Sequence, residues 1–186
     1  FLALLCIYAQ NPQILKYRLK NGLTVYLNED HSKSTVFGAV VVNAGAKDDP
    51  QGATGLAHYM EHVMFKGTQE LGTRDWEAEK PHYDRIIELY EKLRSTDDKN
   101  KKAELNEEIN KESLAAGKYT VTNEFRNLVQ SIGGTGTNAA TGYDNTSYYN
   151  SFPSFQIERW LDLYAHRFVN PVFRGFQAEL EVVYEE

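Results

Sequence analysis

The sequence predicts an α+β fold, because strand patterns, helical patterns and a further strand follow one another without regular βαβ repeats. Residues 16–28 carry Asn-Gly between two alternating stretches, which predicts a β-hairpin. The β-branched, apolar run at residues 34–44 predicts a strand that is buried on both faces. A helix is predicted at residues 55–65, with Thr54 or Gly55 as its N-terminal cap.

Residues 76–118 differ in composition, because they are rich in Lys, Glu and Asp and carry a helical period. Residues 96–98 (Thr-Asp-Asp) predict a break, and a second helix is predicted over about residues 99–116. We interpret this segment as a helical hairpin inserted in the domain, with its charges on a solvated face rather than in a binding patch. The apolar stripe of the first helix is Tyr83, Ile86, Ile87, Tyr90 and Leu93.

The last third of the chain mixes both kinds of pattern. Residues 133–150 begin with glycines and continue with Thr and Tyr, which predicts a loop followed by a strand. Pro153 is expected to open a helix that ends at Asn170-Pro171, and a last helix is expected to begin near Gln177. The predicted apolar face of the helix after Pro153 is Ile157, Trp160, Leu161, Tyr164 and Phe168.

Composition excludes several classes of protein. The 186 residues contain 20 Lys and Arg against 26 Asp and Glu, a formal net charge of −6, which argues against nucleic-acid binding. No run of about 18 apolar residues occurs, so no membrane span is predicted. Cys6 is the single cysteine, which excludes an internal disulfide framework and a zinc site with several cysteines.

Both ends of the sequence suggest a fragment. Residues 1–9 are apolar and end on a small residue, as in the remnant of a secretory signal peptide, so a secreted or periplasmic protein is expected. The alternative for this segment is a buried N-terminal strand. The chain stops within a predicted helix, so residues 10–186 are interpreted as one domain that is truncated at its C-terminal end.

The predicted helix at residues 55–65 contains the pattern H-x-x-E-H at His58, Glu61 and His62. At about 100° per residue, His62 lies about 40° and Glu61 about 60° from His58 around the helix, within one arc of roughly 100°. Two imidazoles one turn apart can both reach a tetrahedral metal ion, and Glu61 beside them is placed to take a proton from water. The alternative, a pair of histidines without metal, is disfavoured because the helix is mostly apolar and unpartnered polar groups are costly to bury.

Zinc suits this set of residues, because it accepts two histidines and one carboxylate and leaves a fourth position for water. Binding lowers the pKa of that water from about 15.7 to about 7. The third ligand is expected among the acidic residues of the last predicted helix, although that helix by itself could be a plain acidic helix. These residues are Glu179, Glu181, Glu185 and Glu186.

The string GLAHYMEHVMFKGT resembles the zinc helix of the pitrilysin/insulinase family of metallopeptidases, whose signature is H-x-x-E-H. NGLTVYLNED and VFGAVVVNAGAKDDP resemble the segments that precede that helix in the family. GTNAATGYDNTSYY resembles the strand of its active cleft, and ELEVVYEE resembles its downstream glutamate helix. The resemblance covers nearly all of residues 16–186.

The resemblance implies a mostly antiparallel β-sheet packed on one side by helices, similar to the LuxS/processing-peptidase fold. It implies that His58, His62 and Glu186 bind one Zn²⁺ per domain and that Glu61 is the base. It further implies that Glu179 does not bind the metal itself but supports the site by contacting a metal ligand. Asn138 and Ala139 match the edge-strand positions that hold a peptide substrate, which adds as an extra β-strand.

The function implied is that of a zinc-dependent metalloendopeptidase domain that hydrolyses peptides or small unfolded proteins. Family enzymes close two halves around the substrate, so a C-terminal homologous half or a partner subunit is expected, and the fragment alone could bind zinc without being active. The alternatives are a non-catalytic structural or partner subunit of the same fold and a zinc-dependent binding module. A non-catalytic subunit should lose the zinc residues, and a binding module would not need Glu61.

Overall fold

The computed structural model of the protein describes residues 14–185, so the predicted signal remnant at residues 1–9 and the predicted ligand Glu186 lie outside the described residues. The described part divides into a first unit that ends at Thr35 and a second that begins at Val36. Its main elements are β1 (Ile14–Arg18), β2 (Thr24–Asn28), β3 (Thr35–Val42), α1 (Leu56–Val63), α2 (Trp76–Arg94), α3 (Lys99–Gly117), α4 (Glu124–Ser131), β4 (Thr135–Thr141), β5 (Thr146–Pro153), α5 (Ile157–Arg167) and α6 (Phe176–Glu185).

The first unit contains the predicted hairpin, in which β1 and β2 pair antiparallel. The chain reverses over residues 19–23, where Gly22 has a φ of +93°, a conformation that glycine adopts readily. The side chain of Asn21 accepts a hydrogen bond of 3.1 Å from the backbone N–H of Leu23. The Asn-Gly pair therefore forms the turn that the sequence predicts.

The second unit contains a three-stranded sheet with the strand order β3-β5-β4, in which β4 and β5 pair antiparallel. Along the central strand β5, every second side chain is buried, so one face of the strand points into the core. Helices α4 and α5 supply the other half of that core. Its buried members are Phe125, Val129, Ile132, Ala139, Tyr148, Phe152, Trp160 and Tyr164. This arrangement is the predicted α+β fold.

The burial predicted for the first strand of this sheet is wrong. Within β3 only Gly38 is buried, whereas Phe37 is 67% and Val41 is 60% exposed. The reason is that β3 lies at one edge of the three-stranded sheet and packs on α5 through one side, where Gly38 meets the ring of Trp160. Apolar composition therefore does not identify a strand that is covered on both faces.

Two elements differ from the sequence-based expectation. Residues 133–150 hold a strand, β4, and most of a second one, β5, joined by a turn at residues 142–145, instead of a loop and one strand. The first strand is rich in small residues, which obscures its strand character. Helix α4 was not predicted, although Phe125, Val129 and Ile132 follow one another at helical spacing and are all buried.

The two charged helices α2 and α3 are present as predicted, and each has an aspartate cap. Asp75 accepts a hydrogen bond from the N–H of Ala78, and Asp98 accepts bonds from two N–H groups of the first turn of α3. The helices pack through Ile86, Leu89, Leu105 and Ile109. Within residues 14–185, no helix is both long and apolar enough to cross a membrane.

The predicted apolar stripes are wider than the faces that the helices bury. Ile87 on α2 is 59% exposed, and Ile157 and Leu161 on α5 are also exposed. Each helix packs against one partner surface, so only the residues nearest that surface are covered. In α5 these are Trp160 and Tyr164, one helical turn apart.

A buried arginine joins the end of α5 to the end of α1. Arg167 is 2% exposed, and its Nε donates a hydrogen bond of 3.2 Å to the carbonyl oxygen of Met64. Burial lowers the pKa of Arg167 to about 10, so the guanidinium remains charged at neutral pH. Its terminal nitrogens have no hydrogen-bond partner among the described residues, and aromatic ring faces surround the cation instead. The rings are Phe65, Phe125, Tyr148, Tyr164 and Phe168, with centroids 4.0 to 5.9 Å away.

The contact between Gly38 and Trp160 predicts the effect of a substitution. A Cβ atom at position 38 would lie 2.4 Å from the Trp160 ring, which is itself held by a hydrogen bond of 2.7 Å to Asn150. Because the ring cannot move aside, Gly38→Ala is expected to lower the free energy of unfolding by about 1–3 kcal/mol, measured by urea denaturation. Gly117→Ala is the matched control, since no atom lies within 4 Å of the added methyl group, and it should not destabilise the protein. Equal stability of the two variants would contradict the packing described for β3.

Candidate active site

Helix α1 carries the H-x-x-E-H pattern, and its first turn is fixed by an aspartate from the preceding loop. Gly55 caps the helix with a φ of +86°, and the carboxylate of Asp49 accepts hydrogen bonds from the N–H groups of Gly55 (2.7 Å) and Ala57 (2.8 Å). An anion at this end satisfies N–H groups that lack partners within the helix and is favoured by the helix dipole. Asp49 therefore fixes the direction in which α1 presents its side chains.

The two histidines of α1 face each other. The Nε2 atoms of His58 and His62 lie 3.1 Å apart, and their ring planes are nearly perpendicular, at 83°. On the other side of the ring, Nδ1 of His62 lies 2.9 Å from Oε1 of Glu179 on α6. A carboxylate only accepts hydrogen bonds, so Nδ1 of His62 carries the hydrogen, and in the neutral ring the lone pair remains on Nε2.

Glu179 is the point at which α6 meets α1. Its second oxygen, Oε2, forms an ion pair with Nζ of Lys66, which follows α1 in the chain. Burial raises the pKa of the Glu179 carboxyl, but hydrogen bonds from Lys66 and His62 outweigh that effect and hold this pKa below its ordinary value. Glu179 is therefore an anion at neutral pH.

The chemistry of these residues fits a zinc ion. Two nitrogens bound tetrahedrally to zinc at about 2.0–2.1 Å are about 3.3 Å apart, close to the observed separation of the two Nε2 atoms. A carboxylate on the far ring nitrogen is the usual support of a metal-binding histidine, and Glu179 supplies it to His62. Among residues 14–185, no group of three or more His, Cys, Asp or Glu side chains is arranged to hold a metal ion. The predicted third ligand, Glu186, lies outside that range.

Glu61 lies on the same helix between the two histidines in sequence. It is 8% exposed, and Oγ1 of Thr141 donates a hydrogen bond of 2.6 Å to its Oε2. Thr141 is the last residue of β4, so this bond connects α1 to the edge of the sheet. The buried cation of Arg167 also attracts the Glu61 carboxylate. The structure thus provides a carboxylate beside two imidazoles in one cavity.

The cavity has a volume of about 860 Å³ and lies between α1, β4 and α6. Strand β4 is at the edge of the three-stranded sheet, since only β5 pairs with it among the described residues. Asn138 and Ala139, the predicted substrate-binding residues, lie on β4 and line the cavity. The predicted site residues that line it are His58, Glu61, His62, Asn138, Ala139 and Glu179. The fold therefore brings together the described residues to which the family resemblance assigns a role, whereas the other candidate ligands within the described residues, Glu181 and Glu185, do not line this cavity.

Sequence reasoning missed three residues that shape the site: Asp49, Lys66 and Thr141. A weak signal existed for Lys66, which lies four residues, about one helical turn, beyond His62. Thr141 lies two residues beyond Ala139 and so shares its side of the strand. Asp49 gave no comparable signal, because it reaches α1 from a loop six residues before Gly55.

Several known proteins are similar to this chain in sequence or in fold. The chain is 38% identical to Protease 3 of Escherichia coli over 69 residues, which are 37% of this chain and 7% of that protein. The crystal structure of a protease from Helicobacter pylori superposes with a TM-score of 0.63 at 22% identity, over 94% of this chain and 30% of that one. The crystal structure of pitrilysin superposes with a TM-score of 0.58 at 22% identity, over 94% of this chain and 13% of that one. The chain thus spans a small part of these relatives, and at such identity the two structures establish the fold alone.

A family model for insulinase (peptidase family M16) matches residues 24–80 and 97–186. The match includes α1 with His58, Glu61 and His62, and all of β4 and α6. The gap in the match falls within α2 and the connection to α3, the charged hairpin. The chain belongs to the insulinase family, peptidase family M16.

Proposed function

We propose that this chain is the zinc-binding catalytic domain of a metalloendopeptidase that hydrolyses peptides or small unfolded proteins. The single observation that carries the proposal is the 3.1 Å approach of the His58 and His62 Nε2 atoms in a cavity that Glu61 also lines. Membership of peptidase family M16 supports the same activity. As the signal-like residues 1–9 suggest, the protein is proposed to act outside the cytoplasm.

His58, His62 and Glu186 are proposed to hold one zinc ion. When bound, zinc would lower the pKa of water and polarise the carbonyl of the scissile peptide bond. Glu179 orients His62 by accepting its Nδ1–H, which keeps Nε2 available as a metal ligand. Glu186 enters this set through the resemblance to the family pattern.

Glu61 is proposed to move the proton during hydrolysis. Its carboxylate takes a proton from the attacking water and later donates it to the amine that leaves. Thr141 donates its hydrogen bond to Oε2, so we assign the proton transfer to Oε1. Burial of Glu61 beside the cavity limits competition from bulk water.

The substrate is proposed to bind as an additional strand along β4. An edge strand presents backbone N–H and C=O groups that an extended peptide can pair with, and Asn138 and Ala139 lie where such a peptide would reach the cavity. Recognition through main-chain groups gives affinity with little dependence on side chains. A C-terminal homologous half or a partner subunit is proposed to close the cavity around the bound peptide.

The base assignment is tested by Glu61→Gln in the intact protein. The amide cannot accept the proton at neutral pH, so kcat should fall by about 10²- to 10⁴-fold while zinc content stays unchanged. Peptide hydrolysis and elemental analysis give the two readouts. Glu88→Gln on α2, which is exposed and outside the cavity, is the control and should keep full activity. Unchanged turnover in Glu61→Gln would refute the base assignment. An unmodified protein that binds zinc but hydrolyses no peptide would instead favour a zinc-dependent binding module, and one that does neither would favour a non-catalytic subunit.

The third ligand is tested by Glu186→Ala, with the neighbouring Glu185→Ala as the matched control. Removal of a residue that supports a ligand typically weakens metal binding by about 10- to 100-fold. Loss of a ligand itself, in Glu186→Ala, should weaken the affinity for zinc by more than that. Zinc retained after dialysis against a chelator measures the effect. Equal metal content in the two variants would remove Glu186 from the ligand set.

A further inference from the structure

A buried ion pair lies directly before the helix that carries Glu179. Arg174 is 4% exposed and Glu79, on α2, is fully buried. The contact is bidentate: Nε of Arg174 donates to Oε1 at 2.7 Å, and Nη2 donates to Oε2 at 2.9 Å. Such a forked pair fixes both partners in direction as well as in distance.

The same guanidinium also holds the segment that follows α1. Nη1 of Arg174 donates to the carbonyl oxygens of Lys66 (3.2 Å) and Leu71 (3.0 Å), and Nη2 donates to that of Thr68 (2.8 Å). With the two bonds to Glu79, all five N–H groups of the side chain have an acceptor. One residue therefore ties α2, the segment after α1 and the start of α6 to each other.

Glu179 depends on this junction from two directions. Lys66, whose side chain pairs with Glu179, has its backbone carbonyl held by Arg174. Arg174 itself is two residues before the start of α6. The same side chain therefore contributes to the placement of both members of the Lys66–Glu179 pair.

Contacts at the first turn of α6 complete the attachment. The hydroxyl of Tyr59 on α1 donates a hydrogen bond of 2.7 Å to the carbonyl oxygen of Phe176. Gln177 donates a hydrogen bond of 2.7 Å to the hydroxyl of Tyr90 on α2. These bonds hold the first turn of α6. The segment before α6 is held by Arg174 and by a backbone hydrogen bond of 3.0 Å from the N–H of Val172 to the carbonyl oxygen of Gly67.

We propose that the Arg174–Glu79 pair is a positioning device for the metal site, which seats α6 so that the Glu179 carboxylate meets Nδ1 of His62. The proposal rests on the proposed function, in which His62 is a metal ligand. Because Glu79 belongs to α2, the proposal also assigns the charged hairpin a role in positioning α6. Replacing a buried ion pair by apolar residues is often neutral for stability, so a pair with every donor matched is better explained by precise placement.

The test compares Arg174→Lys and Glu79→Gln in the intact protein. Lysine keeps the charge but cannot reach two carboxylate oxygens and three carbonyls at once. Arg174→Lys should weaken the affinity for Zn²⁺, measured by chelator competition, by about 10- to 100-fold. Glu79→Gln retains one carbonyl acceptor for Arg174, so the affinity for Zn²⁺ should fall by less than in Arg174→Lys.

A second readout needs no metal. In the metal-free protein, amide hydrogen exchange over residues 176–185 should accelerate in Arg174→Lys, whereas exchange in α4 should not. Ile109→Val, in the core between α2 and α3, is the control for general destabilisation. It should lower the melting temperature without changing Zn²⁺ affinity or the relative protection of α6.

The outcomes separate the two proposals. A normal Zn²⁺ affinity and normal α6 protection in Arg174→Lys would overturn the positioning role and leave the proposed function intact. Failure of the unmodified protein to bind Zn²⁺ would refute the proposed function, and the exchange data would still report whether Arg174 seats α6. If Arg174→Lys does not fold, Zn²⁺ affinity and α6 protection are measured in Glu79→Gln instead. Normal values of both in that variant would overturn the positioning role.

Discussion

The contact between Nδ1 of His62 and the Glu179 carboxylate is the interaction on which the site depends. It joins two helices whose contacting residues are 117 positions apart in the chain. By accepting the hydrogen on Nδ1, Glu179 selects the form of the imidazole that has a lone pair on Nε2. Lys66 on the other carboxylate oxygen keeps Glu179 charged and in place. Without that contact, α1 would still carry two histidines, but Nδ1 of His62 would lose the acceptor that orients its ring.

The sheet gives the site its second wall. β5 is buried on alternate residues and anchors the core, which leaves β4 at the edge beside α1. The hydrogen bond from Thr141 to Glu61 connects this edge to the proposed base. A peptide added to β4 would thus lie in the cavity that holds the histidines and the base. Both the proposed role of Glu61 and the proposed binding of a peptide to β4 therefore depend on β4 being the edge strand beside α1.

The sequence predicted what is local and missed most of what is distant. The shared face of His58, Glu61 and His62 follows from helical geometry alone, and the Asn-Gly hairpin follows from turn chemistry. The predicted burial of β3 on both faces is wrong, because an apolar run does not indicate which other elements pack against it. The contacts of Arg174 were missed because they join residues about 100 positions apart. The role of Glu179 is predicted only through the resemblance to a family, because the sequence of an acidic helix does not by itself distinguish a residue of a metal site from a solvated glutamate.

The most direct test of the central claim is X-ray absorption spectroscopy at the zinc edge of the metal-loaded protein. If His58 and His62 both bind the metal, the zinc ligands should include two imidazole nitrogens at about 2.0–2.1 Å, completed by oxygen ligands and without sulfur. A shell with one imidazole or none, or with a sulfur ligand, would contradict the claim that His58 and His62 hold the metal together.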